Sequence, residues 1–294
     1  MALRIGISGW TFAPWRGVFF PKGLPQKQEL EYASRQLNSI EINGTFYALQ
    51  RPASYKAWAA ATPDDFQFSV KANRYITHIR RLRDVEEPLS HFFASGPLCL
   101  RHKLGPILWQ FPPSFRFDPK LLLAFFEMLP KDTAAAARLA RLYENKFGEE
   151  GGPENQDDRP LRYAMEVRHS SFETKEFIEL LREYGIALVV ADTAGKWPFM
   201  EDVTSDFVYL RLHGDKELYA SGYTEAALKE WARKIRTWAD GGTPIRTHCI
   251  CPGGKSAPNG RDVFVYFDND IKVKAPFDAI ALAHRLGLKE RSEE

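Results

Sequence analysis

Residues 207–213 read F-V-Y-L-R-L-H, and their alternation decides the fold. Val208, Leu210 and Leu212 form an apolar phase, while Tyr209, Arg211 and His213 form a polar one. A repeat of two residues marks a β-strand, because successive side chains point to opposite faces. Seven further short runs carry strand character: 4–9 (R-I-G-I-S-G), 38–43 (N-S-I-E-I-N), 66–72 (F-Q-F-S-V-K-A), 106–111 (P-I-L-W-Q-F), 162–168 (R-Y-A-M-E-V-R), 186–192 (I-A-L-V-V-A-D) and 263–268 (V-F-V-Y-F-D). Helical patterns lie between them. Asp118-Pro119 is an N-cap with proline at the first helical position, ahead of Leu121, Leu122, Phe125 and Phe126. Phe177, Leu180, Leu181 and Tyr184 keep a helical spacing, as do Leu228, Trp231, Ala232 and Ile235 after Thr224. Pro276 opens a last helix whose Phe277, Ile280 and Ala281 are expected to face in.

Strand alternating with helix along the whole chain predicts an α/β protein with a parallel sheet. With eight strands the reading is a single TIM-type (β/α)8 barrel over residues 1–294. Residues 193–206 carry no helical spacing, so the sixth βα unit is expected to be irregular. Two stretches, 144–160 and 241–261, read as surface loops from their Gly, Pro and polar content.

Composition narrows the function classes. Of the 294 residues, 44% are hydrophobic and 27% charged, which places the chain among globular proteins rather than disordered ones. Forty basic against 38 acidic side chains leave +2, too little for a global field toward nucleic acid or membrane. No run approaches the roughly 18–20 apolar residues of a membrane span. Met1-Ala2-Leu3-Arg4-Ile5 enters a strand without a basic-then-apolar leader, so a cytoplasmic protein is expected. Three cysteines, Cys99, Cys249 and Cys251, suit a reducing compartment better than a disulfide framework. Cys249-x-Cys251, with His248 alone adjacent, is too sparse for a zinc site and reads as a pair in a loop.

In a barrel, helices cover the outer face of each strand, so the apolar phase points outward and the polar phase toward the axis. The polar phase holds Glu41, Asn43, Lys71, Asn73, Gln110, Glu166, Arg168, Asp192, Arg211, His213, Tyr266, Asp268 and Asp270. Buried charges must pair with one another, with water or with a ligand. The reading taken forward is an enzyme acting on a small or nucleotide-like anionic substrate (a phosphate or carboxylate) by acid/base chemistry at the strands' C-terminal ends. Glu166 and Glu41 are the acid/base carboxylates, His213 the proton shuttle, and Asp192 the group that orients a cation. Lys71, Arg168 and Arg211 anchor the anion. Asn43, Asn73, Gln110, Trp10, Tyr47, Tyr266 and Asp268 add substrate contacts.

Four other readings stay open. No cofactor is required, but Glu41, Glu166, Asp192 and His213 are hard ligands for a divalent metal, as in metal-dependent hydrolases, nucleases or sugar isomerases. Three cations in the same set oppose that metal, and no H-x-H or E-x-x-H pair supports it. Lys71 could form a Schiff base. The charges could pair only among themselves, as a rigid network. Alternatively the barrel binds without catalysis, taking a ligand or nucleic acid on rim aromatics such as Tyr47, Tyr75, Tyr219 and Tyr223 beside Arg74 and the R-R-L-R run at 80–83. A small anionic ligand is the first partner, nucleic acid the second, and membrane none. Oligomeric state is not legible.

Seven stretches in order carry a resemblance: G-I-S-G-W-T-F-A-P-W-R-G-V-F-F-P (6–21), S-I-E-I-N-G-T-F-Y (39–47), F-S-V-K-A-N-R-Y-I-T-H (68–78), L-G-P-I-L-W-Q-F-P-P-S-F (104–115), E-V-R-H-S-S-F (166–172), Y-L-R-L-H-G (209–214) and Y-F-D-N-D (266–270). Through them the chain resembles the YecE-like family, domain of unknown function seventy-two, over about residues 4–286. The resemblance implies a β/α barrel related in architecture to phosphate- and sugar-handling barrels, and it leaves the chemistry open. Family members often carry Asn where this chain has Asp268, so the resemblance does not ask for a carboxylate there.

Overall fold

Each run read as a strand becomes one in the computed structural model, which describes residues 1–142, 158–219, 221–245, 248–254, 257–269 and 272–288. The strands are β1 (Leu3–Ser8), β2 (Ser39–Ile42), β3 (Gln67–Lys71), β4 (Leu104–Gln110), β5 (Tyr163–Glu166), β6 (Ala187–Asp192), β7 (Phe207–Leu212) and β8 (Asp262–Phe267). They follow one another in chain order around a closed parallel sheet with helices between, a TIM-type (β/α)8 barrel. Parallel pairing leaves strands covered on both faces, which is why nearly every residue in them is buried. Among the described residues no helix is long and apolar enough to cross a membrane.

The chain forms two compact units. The first comprises Met1–Glu41 and Glu173–Glu294. In it β1 pairs with β2 on one side and β8 on the other, and β7 joins β6 to β8. Glycine at position 6 is a packing requirement: an added Cβ would lie 2.0 Å from the Ser39 carbonyl oxygen. The helix Lys175–Tyr184 starts where the Thr174 hydroxyl accepts from Phe177 N and ends at Gly185, whose φ of 64° suits glycine. It buries Phe177, Ile178 and Leu181, while Leu180 and Tyr184 are half-buried. The helix Glu225–Ala239 buries all four residues its spacing singled out, capped by Thr224. No helix lies between Asp192 and Phe207, so the sixth unit is irregular as expected.

The last helix, Ala275–Arg285, corrects the sequence reading. Pro276 is in its first turn, but Phe277 is exposed and Ile280 and Ala281 are half-buried. The buried residues are Ala275, Pro276, Asp278, Ala279 and Leu282. The error has a physical source: the buried Asp278 carboxylate accepts from Tyr223 N at 3.1 Å and Asn269 Nδ2 at 2.9 Å, and a charged residue hides the true face from a hydrophobicity pattern.

The second unit, Ile42–Phe172, carries β3, β4 and β5 in register. Its core is aromatic, with Trp109 lying 5.8 Å from Phe92 and 5.0 Å from Phe125 between ring centroids. The helix Pro119–Met128 has the expected cap, Asp118 accepting from Leu121 N at 3.1 Å. A helix at Thr133–Leu139, absent from the sequence reading, starts in the same way on Asp132. Of the two expected loops, residues 144–157, 246–247 and 255–256 lie outside the described residues, as does Asp270.

Candidate active site

Polar side chains gather near strand C-termini in each unit, where barrels of this class hold their sites. In the first unit the centre is Arg211, fully buried near the end of β7. Glu41 of β2 engages it twice, with Nε donating to Oε2 at 3.1 Å and Nη2 to Oε1 at 2.9 Å. Ser8 Oγ donates to the same Oε1 at 2.9 Å, and Tyr209 Oη to Oε2 at 2.6 Å. Both Glu41 oxygens are thus held by two donors each, which satisfies a buried carboxylate. Tyr266, beside Tyr209 at 5.2 Å between ring centroids, shares a 2.7 Å hydrogen bond with Ser39 Oγ.

Arg211 Nη2 also donates to Asp268 Oδ2 at 2.8 Å. That same oxygen lies 3.0 Å from His213 Nδ1. The separation is within hydrogen-bonding reach, but the ring sits off the hydrogen-bond line. His213 is fully buried, and its Nε2 has no hydrogen-bond partner among the described residues. Tyr219 meets the ring edge-on at 5.3 Å and Trp197 at 6.5 Å. The network therefore runs from a locked carboxylate through a guanidinium to a second carboxylate and an imidazole. It opens at Asp268, whose side chain is 14% exposed.

Asp192, read from the sequence as orienting a cation, accepts instead from Tyr223 Oη at 3.0 Å. Its main-chain oxygen takes His213 N at 2.9 Å. Burial pushes its carboxyl above the usual range, and the Tyr223 bond partly opposes this. Tyr223 is a support that sequence reasoning counted as a rim aromatic. Its hydroxyl also accepts from Gly214 N at 3.2 Å, so it braces the turn after His213.

In the second unit Lys71 ends β3, with its ammonium 4.3 Å from the centroid of Phe46. Arg74 lies 6.0 Å from that ring, and His78 packs on it edge-on at 5.0 Å. Glu166, fully buried at the end of β5, accepts from Arg168 Nε at 2.7 Å. His78 registers the balance of this cluster. Burial, then Lys71, Arg74 and Arg168, lower it to about 4, against the opposing charge of Glu166. Three cations outweigh one carboxylate there. His78 sits on a π-helical turn, Tyr75–Ile79, a feature frequent at functional sites. No spacing rule in the sequence would have assigned it a role.

The remaining sequence candidates in this unit divide. Asn73 is absorbed by the backbone, donating to Thr45 O at 3.0 Å and accepting from Tyr75 N at 2.9 Å. Gln110 donates to Phe111 O at 2.5 Å. Asn43 Oδ1 is buried without a partner among the described residues, and Tyr47 is 71% exposed. In the first unit, Trp10 is half-buried beyond β1. Among the described residues no three His, Cys, Asp or Glu side chains are placed to hold a metal ion, so Glu41, Glu166, Asp192 and His213 do not form such a set.

Comparison with known proteins agrees with this architecture. The UPF0759 protein YunF of Bacillus subtilis strain 168 is 34% identical over 118 residues, which are 38% of this chain and 41% of that protein. The UPF0759 protein YecE of Escherichia coli K12 is 31% identical over 197 residues, 65% of this chain and 59% of that protein. The chain thus matches less than two thirds of the length of either relative. A DUF72 family protein from Thermotoga maritima MSB8 superposes with a TM-score of 0.73 at 26% identity, covering 98% of this chain and 100% of that one. One from Enterococcus faecalis V583, at 16% identity and a TM-score of 0.69 over 99% of both chains, shares the fold. The family model described as "Protein of unknown function DUF72" matches residues 4–294, and the chain belongs to that family.

Proposed function

We propose that the protein is an enzyme that moves protons on a small anionic substrate bearing a phosphate or carboxylate, with His213 as the acid/base group. One observation carries the reading: a fully buried imidazole whose Nδ1 lies 3.0 Å from Asp268 and whose Nε2 has no partner among the described residues. An unsatisfied buried nitrogen costs about 1–3 kcal/mol, a cost that persists at functional sites because the partner arrives with the substrate. A base oriented by a carboxylate is the arrangement proton transfer requires.

Glu41 takes a different role from the one its strand phase implied. A carboxylate already holding four donors is an anchor for Arg211 rather than a base. Arg211 in turn positions Asp268. The second unit carries a cation cluster of its own, in which Lys71, Arg74 and Arg168 together outweigh Glu166 at His78, as an anion site would require.

Thermal-shift screening of phosphorylated and carboxylated metabolites, followed by turnover assays on the hits, tests the reading. An anion that raises Tm should be turned over by the wild type. It should bind His213→Gln with turnover lost at least ~100-fold. Full turnover by His213→Gln, or no anion that binds, contradicts it. A non-catalytic binding barrel would show binding without turnover in every variant.

A further inference from the structure

Cys249-x-Cys251, read from the sequence as an incidental pair, sits in a segment that the first unit holds with buried charges. Asp202, 3% exposed, accepts from Ile250 N and Cys251 N, each at 2.8 Å. Glu201, fully buried, accepts from His248 N at 3.0 Å and from Lys234 Nζ at 2.6 Å. Arg182 grips the same segment from the helix Lys175–Tyr184, with Nη2 donating to Cys251 O at 2.7 Å and Nη1 to Cys251 Sγ at 3.3 Å. Neither cysteine is in a disulfide and both are partly exposed, whereas Cys99 is buried. Burial pushes the Cys99 thiol up, away from reactivity. A guanidinium on an accessible sulfur, with a second thiol two residues away, is the environment of a redox-active cysteine rather than a structural one.

We propose that Cys249 and Cys251 form a peroxide-sensitive dithiol, with Cys251 the attacking sulfur and Cys249 the resolving one. The Cys251 thiolate attacks the O–O bond of hydrogen peroxide or an alkyl hydroperoxide. One oxygen transfers to sulfur, and the departing hydroxide or alkoxide leaves as water or alcohol after taking a proton. Cys251 is then a sulfenic acid, which Arg182 Nη1 is placed to hold as a hydrogen-bond donor. The Cys249 thiolate attacks that sulfur, the S–S bond forms, and hydroxide leaves as water. Two electrons pass from the thiols to the peroxide, and an external dithiol reverses the change. The disulfide would close across Ile250, whose N–H donates to Asp202 as that of Cys251 does, so its formation bears on both of those bonds. Oxidation therefore reads out on the fold as well as on the thiols.

The test treats the reduced full chain with stoichiometric hydrogen peroxide, alkylates remaining thiols with N-ethylmaleimide, and maps the products by mass spectrometry. The expected result is a Cys249–Cys251 disulfide with Cys99 still alkylated. In Cys249→Ser, dimedone should label Cys251, and in Cys251→Ser no dimedone adduct should form at Cys249. Arg182→Lys should slow oxidation at least ~10-fold, since a lysine point charge does not reproduce the guanidinium's fixed fork of donors. A circular-dichroism melt of that variant separates this effect from loss of fold. Oxidation of Cys99 as fast as Cys251, a dimedone adduct on Cys249 first, or Cys251 reacting no faster than free cysteine overturns the proposal.

Discussion

Glu41→Gln is the substitution whose cost the structure fixes most closely. The side chain is fully buried and keeps its volume, so no cavity opens. What changes is charge and donor count. Arg211 loses one of its two carboxylates but keeps Asp268 at 2.8 Å. Breaking a buried ion pair outright costs about 3–5 kcal/mol, and the surviving partner reduces this. The new amide NH2 meets groups that were donors to the carboxylate, Tyr209 Oη and Arg211. The phenol can turn to accept from the amide and recover about 1 kcal/mol, but the guanidinium has no acceptor to offer. The net loss should be about 2–3 kcal/mol, equivalent to a fall in Tm of roughly 4–10 °C. Urea unfolding followed by tryptophan fluorescence and far-ultraviolet circular dichroism measures it. A midpoint corresponding to less than about 0.5 kcal/mol of loss, below the range for a broken buried pair, would refute the reasoning that Glu41 is an anchor for Arg211.

His213→Phe should behave in the opposite way, with stability unchanged or raised by about 1 kcal/mol because two poorly satisfied buried nitrogens are removed, while activity is lost; a fall above about 2 kcal/mol in the same unfolding assay would mark His213 as structural. Gly6→Ala should cost about 3 kcal/mol or prevent folding, since its Cβ would lie 2.0 Å from a carbonyl oxygen in the β1–β2 pairing; a soluble variant with wild-type Tm contradicts the register. For His78 the sign follows from its low folded value, about 4 against 6.5 when unfolded. Between these values the unfolded chain takes up a proton that the folded chain refuses, so stability falls as pH drops from 6.5 to about 4. The full shift would be about 3 kcal/mol, reduced to about 1–2 for a half-exposed ring; His78→Gln should flatten that slope in pH-resolved melts, and an unchanged slope refutes the assignment.

The fold was legible because a closed parallel sheet with helices outside leaves its strands as short apolar runs at regular intervals, and loops punctuate them. The phase of β2, β7 and β8 was legible for the same reason: Glu41, Tyr209, Arg211, His213, Tyr266 and Asp268 alternate with aliphatic residues, and in the first unit these side chains meet one another. Roles within the set were not legible. Whether Glu41 is a base or an anchor depends on how many donors reach it, and Ser8 and Tyr209 reach it from strands far away in sequence. Asp192 could not be matched to Tyr223, 31 residues on, by any local pattern. His78 lay in a turn rather than on a strand, so alternation said nothing of it. Asp278 misled the reading of the last helix because burial of a carboxylate is permitted by two backbone and amide donors that only the tertiary fold supplies.

In the proposed function, Asp268 holds His213 as a base with Nε2 presented to substrate. Long-range nitrogen–proton correlation spectra of protein labelled with nitrogen-15 at histidine, assigned by the His213→Phe variant, test it without knowledge of the substrate. The expected spectrum at neutral pH has a proton on Nδ1 and a bare, pyridine-type Nε2, and the Asp268→Asn variant should lose that preference. A proton fixed on Nε2 in the wild type, or a tautomer indifferent to Asp268, would contradict the claim and leave His213 as part of a structural network.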